Sequence, residues 1–137
     1  MESKMETIYI DATMGVVGRI ASYVAKKVLL RHEVVIVNCN EAIVTGPRQA
    51  LIKTYQVKLS YGGTSQKGPY GSKVPERMLR RAVRGMLPWP KSRGREAFRI
   101  VKCFNEVPFE YKDKKMLSFK KEMKGKYLTL KQLSKLI

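Results

Sequence analysis

A short β-branched and aromatic run, Thr7 to Ala12, reads as a strand, and Gly15-Val16-Val17-Gly18 follows it as a turn. From Arg19 to Leu30 the apolar positions change period. Ile20, Val24 and Val28, with Ala21 and Ala25 beside them, recur at helical spacing and leave Arg19, Lys26, Lys27 and Arg31 toward solvent or ligand. Val34 to Cys39 is then continuously apolar, too short for a helix and without alternation, as expected of a strand covered on both faces. Together these predict a βαβ unit whose crossover is right-handed, with the Gly15 turn at the carboxyl end of the first strand.

Glu41 to Thr45 reads as another short strand. Gly46-Pro47 then opens a helix running to about Leu59, with Ala50, Leu51, Tyr55 and Leu59 toward the core and Arg48, Lys53 and Lys58 outward. Ser60 to Lys73 reads as a loop in which Gly62, Gly63, Gly68 and Gly71 lie among Tyr61, Tyr70, Lys67 and Lys73. That mixture suits close backbone approach to phosphates and stacking on unpaired bases; a flexible linker is the alternative composition leaves open. Pro75 opens the next helix, where Met78, Leu79, Ala82, Val83, Met86 and Leu87 form one face and Arg77, Arg80, Arg81 and Arg84 another. Gly85, Pro88 and Pro90 stop it, and Lys91, Arg93 and Arg95 follow on a Gly-containing turn before a strand at Ile100 to Phe104. Asn105 to Pro108 turns the chain, Lys112 to Lys126 reads as a lysine-rich surface segment, and Leu128 to Ile137 as a terminal helix with Thr129 as N-cap. No internal repeat or domain boundary stands out, so residues 1–137 read as a single domain.

Charge changes the picture most. The 137 residues carry 28 Lys and Arg against 11 Asp and Glu, a formal net charge of +17, which puts a polyanion first among partners. From Gln66 to Lys102 there are eleven basic residues and two acids, Glu76 and Glu96, a local net of +9. Four arginines on one helical face repel one another unless counter-charge comes from outside, and arginine suits bidentate phosphate contacts. With 44% hydrophobic residues the chain can still bury an ordinary core.

Enzymatic chemistry is poorly supplied. Gly15-x-x-Gly18 lacks the first glycine of a dinucleotide fingerprint, Asn38, Cys39 and Asn40 stand where an acid is needed, and no Walker-type Gly-Lys-Ser/Thr occurs. His32 is the only histidine, so no Ser-His-Asp arrangement can be built. Asp11 has no evident carboxylate or base to meet it, which leaves turn or cap duty. Cys39 and Cys103 lack metal-ligand spacing and read as buried free thiols of a reducing compartment. No apolar run is long enough for a membrane span, and MESKMETIYIDA has acids where a signal peptide has bases, so a cytosolic protein is expected. A binding or structural protein is the stronger class; a nucleotide-binding or RNA-modifying α/β enzyme is the alternative.

Four segments carry a resemblance over essentially the whole length: IDATMGVVGRIASYVAKKVL, VVIVNCNEAIVTG, RAVRGMLPWPKSRGREAF and KCFNEVP. With these the chain resembles the universal large-subunit ribosomal protein thirteen family. The resemblance implies a three-layer α/β/α core around a mainly parallel four-stranded sheet and a structural and assembly role on ribosomal RNA in the cytoplasmic ribosome. It implies no enzyme activity, cofactor, metal, membrane or small-molecule substrate, and neighbouring ribosomal proteins as further partners. Carried over by position, the expected RNA contacts are Arg19, Arg48, Arg77, Arg80, Arg81, Arg84, Lys91, Arg93 and Arg95; on charge, Lys26, Lys27, Lys53, Lys58, Lys67 and Lys73 join them. The insertion of bacterial members and the long basic C-terminal extension of animal and fungal members are missing, as in a compact archaeal or reduced eukaryotic member.

Overall fold

The computed structural model describes residues 6–60, 73–122 and 124–137. The first apolar run forms β1 (Thr7–Asp11) and the run at Val34 forms β2 (Glu33–Val37), paired in parallel from Thr7↔Glu33 to Asp11↔Val37. Between them α1 (Val17–Leu29) starts before Arg19, because Val17 is itself part of the buried stripe completed by Ile20, Ala21, Val24, Ala25 and Val28. It ends where Arg31 adopts a left-handed φ of 68° and the His32 N–H donates to the Lys27 carbonyl.

Past β2 the chain makes a 3-10 turn at Cys39–Glu41, and β3 (Ile43–Thr45) begins only after it. The next helix, α2 (Arg48–Ser60), departs from expectation in its face: no residue of it is buried, Ala50 is exposed, and Leu51, Tyr55 and Leu59 are half-buried. Then come α3 (Pro75–Gly85) and, where a Gly-containing turn was expected, a second helix, α4 (Ser92–Arg99). The strand after it is β4 (Val101–Cys103), and the lysine-rich segment contains β5 (Leu117–Ser118). The terminal segment is divided: Tyr127–Thr129 forms β6, and α5 (Leu130–Leu136) follows. Thr129 is its N-cap as expected, in a full capping box: Thr129 Oγ1 accepts from the Gln132 N–H at 3.2 Å, and Gln132 Oε1 accepts from the Thr129 N–H at 3.1 Å.

The four-stranded sheet has the order β4-β2-β1-β5, every pair parallel; β3 and β6 form a separate antiparallel pair. This agrees with a three-layer α/β/α class built on a mainly parallel sheet. Ile10, Val34 and Ile36 on one face of the sheet join the core made with Ile20, Val24, Val28, Leu79 and Val83. On the other face Val35 and Val37 are buried too, and Tyr9 packs on Tyr111, which also meets Phe104. Burial on both faces explains why β2 reads as an unbroken apolar run.

Candidate nucleic-acid interface

Three groups of residues have to be placed: the Gly15 turn, the basic segment around α3, and the outlying cations. At the turn, a Cβ added to Gly15 would lie 2.8 Å from Ile20 Cδ1 and 2.9 Å from Phe119 Cβ. Gly15 is buried, so this glycine serves close packing, whereas Gly18 is exposed with nothing around its Cβ position. Asp11 has the turn duty expected of it: its Oδ1 accepts from the Thr13 N–H at 3.0 Å and from Asn38 Nδ2 at 3.0 Å, with Thr13 Oγ1 at 2.6 Å. Sequence gave no reason for a second carboxylate here, yet Glu41 Oε2 lies 2.9 Å from the same Thr13 hydroxyl. One hydroxyl proton serves only one of the two acids at a time. Among the described residues no cluster of three metal-ligating side chains occurs.

Burial pushes the Asp11 carboxyl up, but the hydrogen bonds from Thr13 and Asn38 outweigh it and hold its pKa below the ordinary 3.8. A depressed carboxylate pKa stabilises the fold above the unfolded value, and that contribution disappears as pH falls through the folded one. Acidification from pH 6 to pH 3 is therefore expected to destabilise the wild type more than Asp11→Asn in urea melts; equal losses refute the assignment. The thiols are both free, Cys39 buried and Cys103 half-buried. The neighbouring Cys103 thiol, together with burial, pushes the Cys39 pKa up, which keeps this sulfur a protonated thiol.

The basic segment is built on α3. Pro75 takes the first helical position, Asn105 Oδ1 accepts the Glu76 N–H at 2.9 Å, and Pro75, Leu79 and Val83 fix one face in the core. The four arginines then divide. Arg77 and Arg81 are exposed, while Arg80 and Arg84 are half-buried against α4. The Arg80 guanidinium lies 4.1 Å from the Phe98 ring centre and Nη2 donates to the Phe98 carbonyl at 3.4 Å; the Arg84 guanidinium lies 4.1 Å from the Trp89 ring centre. Trp89 and Phe98 meet edge to face at 5.3 Å, so the four side chains form one cluster, a ring pair with a guanidinium at either end. Arg80 and Arg84, expected as RNA contacts, are thus engaged within the chain: Arg80 fastens α4 to α3, and Arg84 fastens the stretch before α4. Met86, expected in the apolar face, is exposed instead, because α3 ends at Gly85.

Two contacts hold α4 in place at its start. Gly94 is buried, and a Cβ on it would overlap the Pro88 carbonyl oxygen and fall 2.5 Å from the Pro88 carbonyl carbon. Arg95 Nε donates to the Trp89 carbonyl at 3.1 Å. Lys91, Arg93 and Arg95 are exposed around this first turn, so α3, α4 and the stretch between them carry Arg77, Arg80, Arg81, Arg84, Lys91, Arg93 and Arg95. Among the described residues none of these cations has a carboxylate partner within the chain.

The remaining cations do not share that element pair. Arg19 and Lys26 are exposed on α1, and Lys27 is half-buried with Nζ 5.5 Å from the Tyr23 ring centre. Arg48, Lys53 and Lys58 are exposed on α2, which packs against α5; Lys58 Nζ lies 4.9 Å from the Tyr55 ring centre. Lys73 is exposed just before α3, and Lys67, with most of the glycine-rich segment, lies outside the described residues. Sequence reasoning missed Trp89, Phe98 and the exposed Arg99. A helical reading of residues 92–99 supplies the signal, since it sets Arg95 and Arg99 one turn apart.

Comparison with known proteins gives concordant results. The family described as Ribosomal protein L13 matches residues 5–110. A protein of Archaeoglobus fulgidus named large ribosomal subunit protein uL13 is 38% identical over 132 residues, covering 92% of this chain and 84% of its own. Proteins of the same name from Thermoplasma volcanium and Methanocaldococcus jannaschii are 40% and 41% identical over 129 residues, covering 92% of this chain and 94% and 93% of theirs.

Proposed function

Because this chain belongs to the ribosomal protein L13 family, we propose that it is a structural constituent of the large ribosomal subunit, a single domain that binds and stabilises ribosomal RNA and acts in subunit assembly. The observation that carries the reading is the stretch from α3 through α4, where seven cations have no carboxylate partner among the described residues. Exposed Arg77, Arg81, Lys91, Arg93 and Arg95 take phosphates, Arg80 and Arg84 add contacts while holding the frame, and the cations of α1 and α2 extend the footprint along with Lys67 and Lys73. The family is one of ribosomal structural proteins, which supports a binding role over an enzymatic one. Its partners are then large-subunit RNA and adjoining ribosomal proteins in the cytoplasm, with no cofactor.

Filter binding of the purified chain to large-subunit ribosomal RNA fragments across a salt series tests this. Log affinity should fall linearly with log salt, each phosphate contact contributing roughly 0.7 to 0.9 to the slope. Arg81→Ala should reduce the slope by about one contact and leave the melting temperature unchanged, since Arg81 is exposed and has no partner among the described residues. Arg84→Ala should do both, losing RNA affinity and about 0.5 to 2 kcal/mol of stability through the Trp89 contact. A flat salt response removes the proposal.

A further inference from the structure

Gly85 is a glycine that neither the backbone nor the packing requires. It ends α3 without a left-handed φ, Gly46 being the only described glycine that has one, and a Cβ added to it would meet no atom within 4 Å. Glycine weakens a helix relative to alanine, and the missing side chain leaves the backbone at this helix end open to approach from outside. The space it leaves open is a cleft of about 230 Å³ bounded by Arg81, Arg84, Gly85, Leu87 and Trp89. Sites for drug-sized ligands run to roughly 300–1,000 Å³, so this one suits a single ring system.

The walls differ in chemistry. Leu87 is buried and apolar, Trp89 is a half-buried ring, Arg84 is held over that ring, and Arg81 at the rim is exposed. A site for phosphate alone needs neither an aromatic wall nor a missing side chain. A guanidinium fixed against an aromatic ring both donates hydrogen bonds and offers a surface for stacking, the combination used to hold unpaired RNA bases. We propose that this cleft takes one unstacked nucleobase of the bound RNA, inserted against Arg84 and Trp89, while Arg81 holds the adjoining phosphate. The proposal rests on the RNA-binding reading above and adds shape to what charge alone supplies.

The probes are a short RNA hairpin with one bulged adenosine and the same hairpin with an abasic residue at the bulge, which keeps every phosphate. Trp89 is the only tryptophan of the chain, so its emission reports from the cleft itself. The wild type should bind the bulged hairpin about five- to a hundredfold more tightly than the abasic one, with Trp89 emission quenched by the former alone. Gly85→Leu, whose Cβ meets nothing and whose branches enter the cleft, should bring the ratio close to one while keeping the affinity for the abasic hairpin. Gly85→Ala should lower the ratio less, and it replaces the leucine variant if that one fails to fold. Equal wild-type affinity for the two hairpins, or an undiminished ratio in both Gly85 variants, overturns the inference and leaves the RNA-binding reading standing. Failure of the wild type to bind either hairpin at low salt overturns both.

Discussion

Gly94→Ala is expected to destabilise the protein by about 1 to 3 kcal/mol or more, against the roughly 1 kcal/mol gain that alanine brings to an unconstrained helical site. The new Cβ would overlap backbone, the Pro88 carbonyl, and no rotamer change relieves it. Either α4 lifts off or residues 88–91 move, and both break the register that sets Lys91, Arg93 and Arg95 beside α3. RNA affinity should therefore fall along with the melting temperature, although no charge has been removed. Thermal melts and filter binding on this one variant decide the matter: a melting temperature at or above that of the wild type means that α4 does not rest on Pro88.

Leu79→Ala should have the largest effect on folding. Leu79 is fully buried at the centre of the α3 face that meets the core. Truncation loses the transfer energy of the removed methyl and methylene groups and leaves a cavity, together about 2 to 5 kcal/mol, or on the order of 10 to 20 °C in a melt. Arg81, two positions along and exposed, supplies the internal control: its truncation should leave the melt unchanged. If the Arg81 variant melts low and the Leu79 variant does not, the faces of α3 are reversed.

The parts of the fold that were legible from sequence are those where burial leaves a period. The α1 stripe, the unbroken run of β2 and the Pro75, Leu79 and Val83 face of α3 each put apolar side chains at the spacing of the element. The Thr129 cap was legible because capping is local chemistry. By contrast, α4 fully buries only Gly94 and Ala97, with Phe98 partly buried beside them, so it leaves little apolar period, and a glycine there reads as a breaker. Both α2 and β5 misled in a related way: Ala50 has apolar character but no partner, and Leu117 and Ser118 are exposed despite pairing with β1. At the proposed interface, charge marked out the basic segment. It could not tell that Arg80 and Arg84 are tied to Phe98 and Trp89, because those contacts depend on where the chain beyond Gly85 returns.

Pairing β3 with β6 joins Ile43 to Thr129, and Leu130 and Leu133, both fully buried, follow directly in a helix that packs against α3 and the turn at Cys39–Glu41. The order of synthesis acquires a meaning from this. β1, α1 and β2 emerge early and are near one another in sequence, whereas the wall that α5 lends to α3 exists only after residue 133 has been made, and the loop-closure entropy of that long separation must be met at that late stage. A nascent chain stalled before Tyr127 displays Ile43 without its cover and α3 without its wall, the kind of exposed apolar surface that chaperones retain. Until that closure α3 has only part of its support, so a prematurely released product carries its arginines on a helix that lacks one wall.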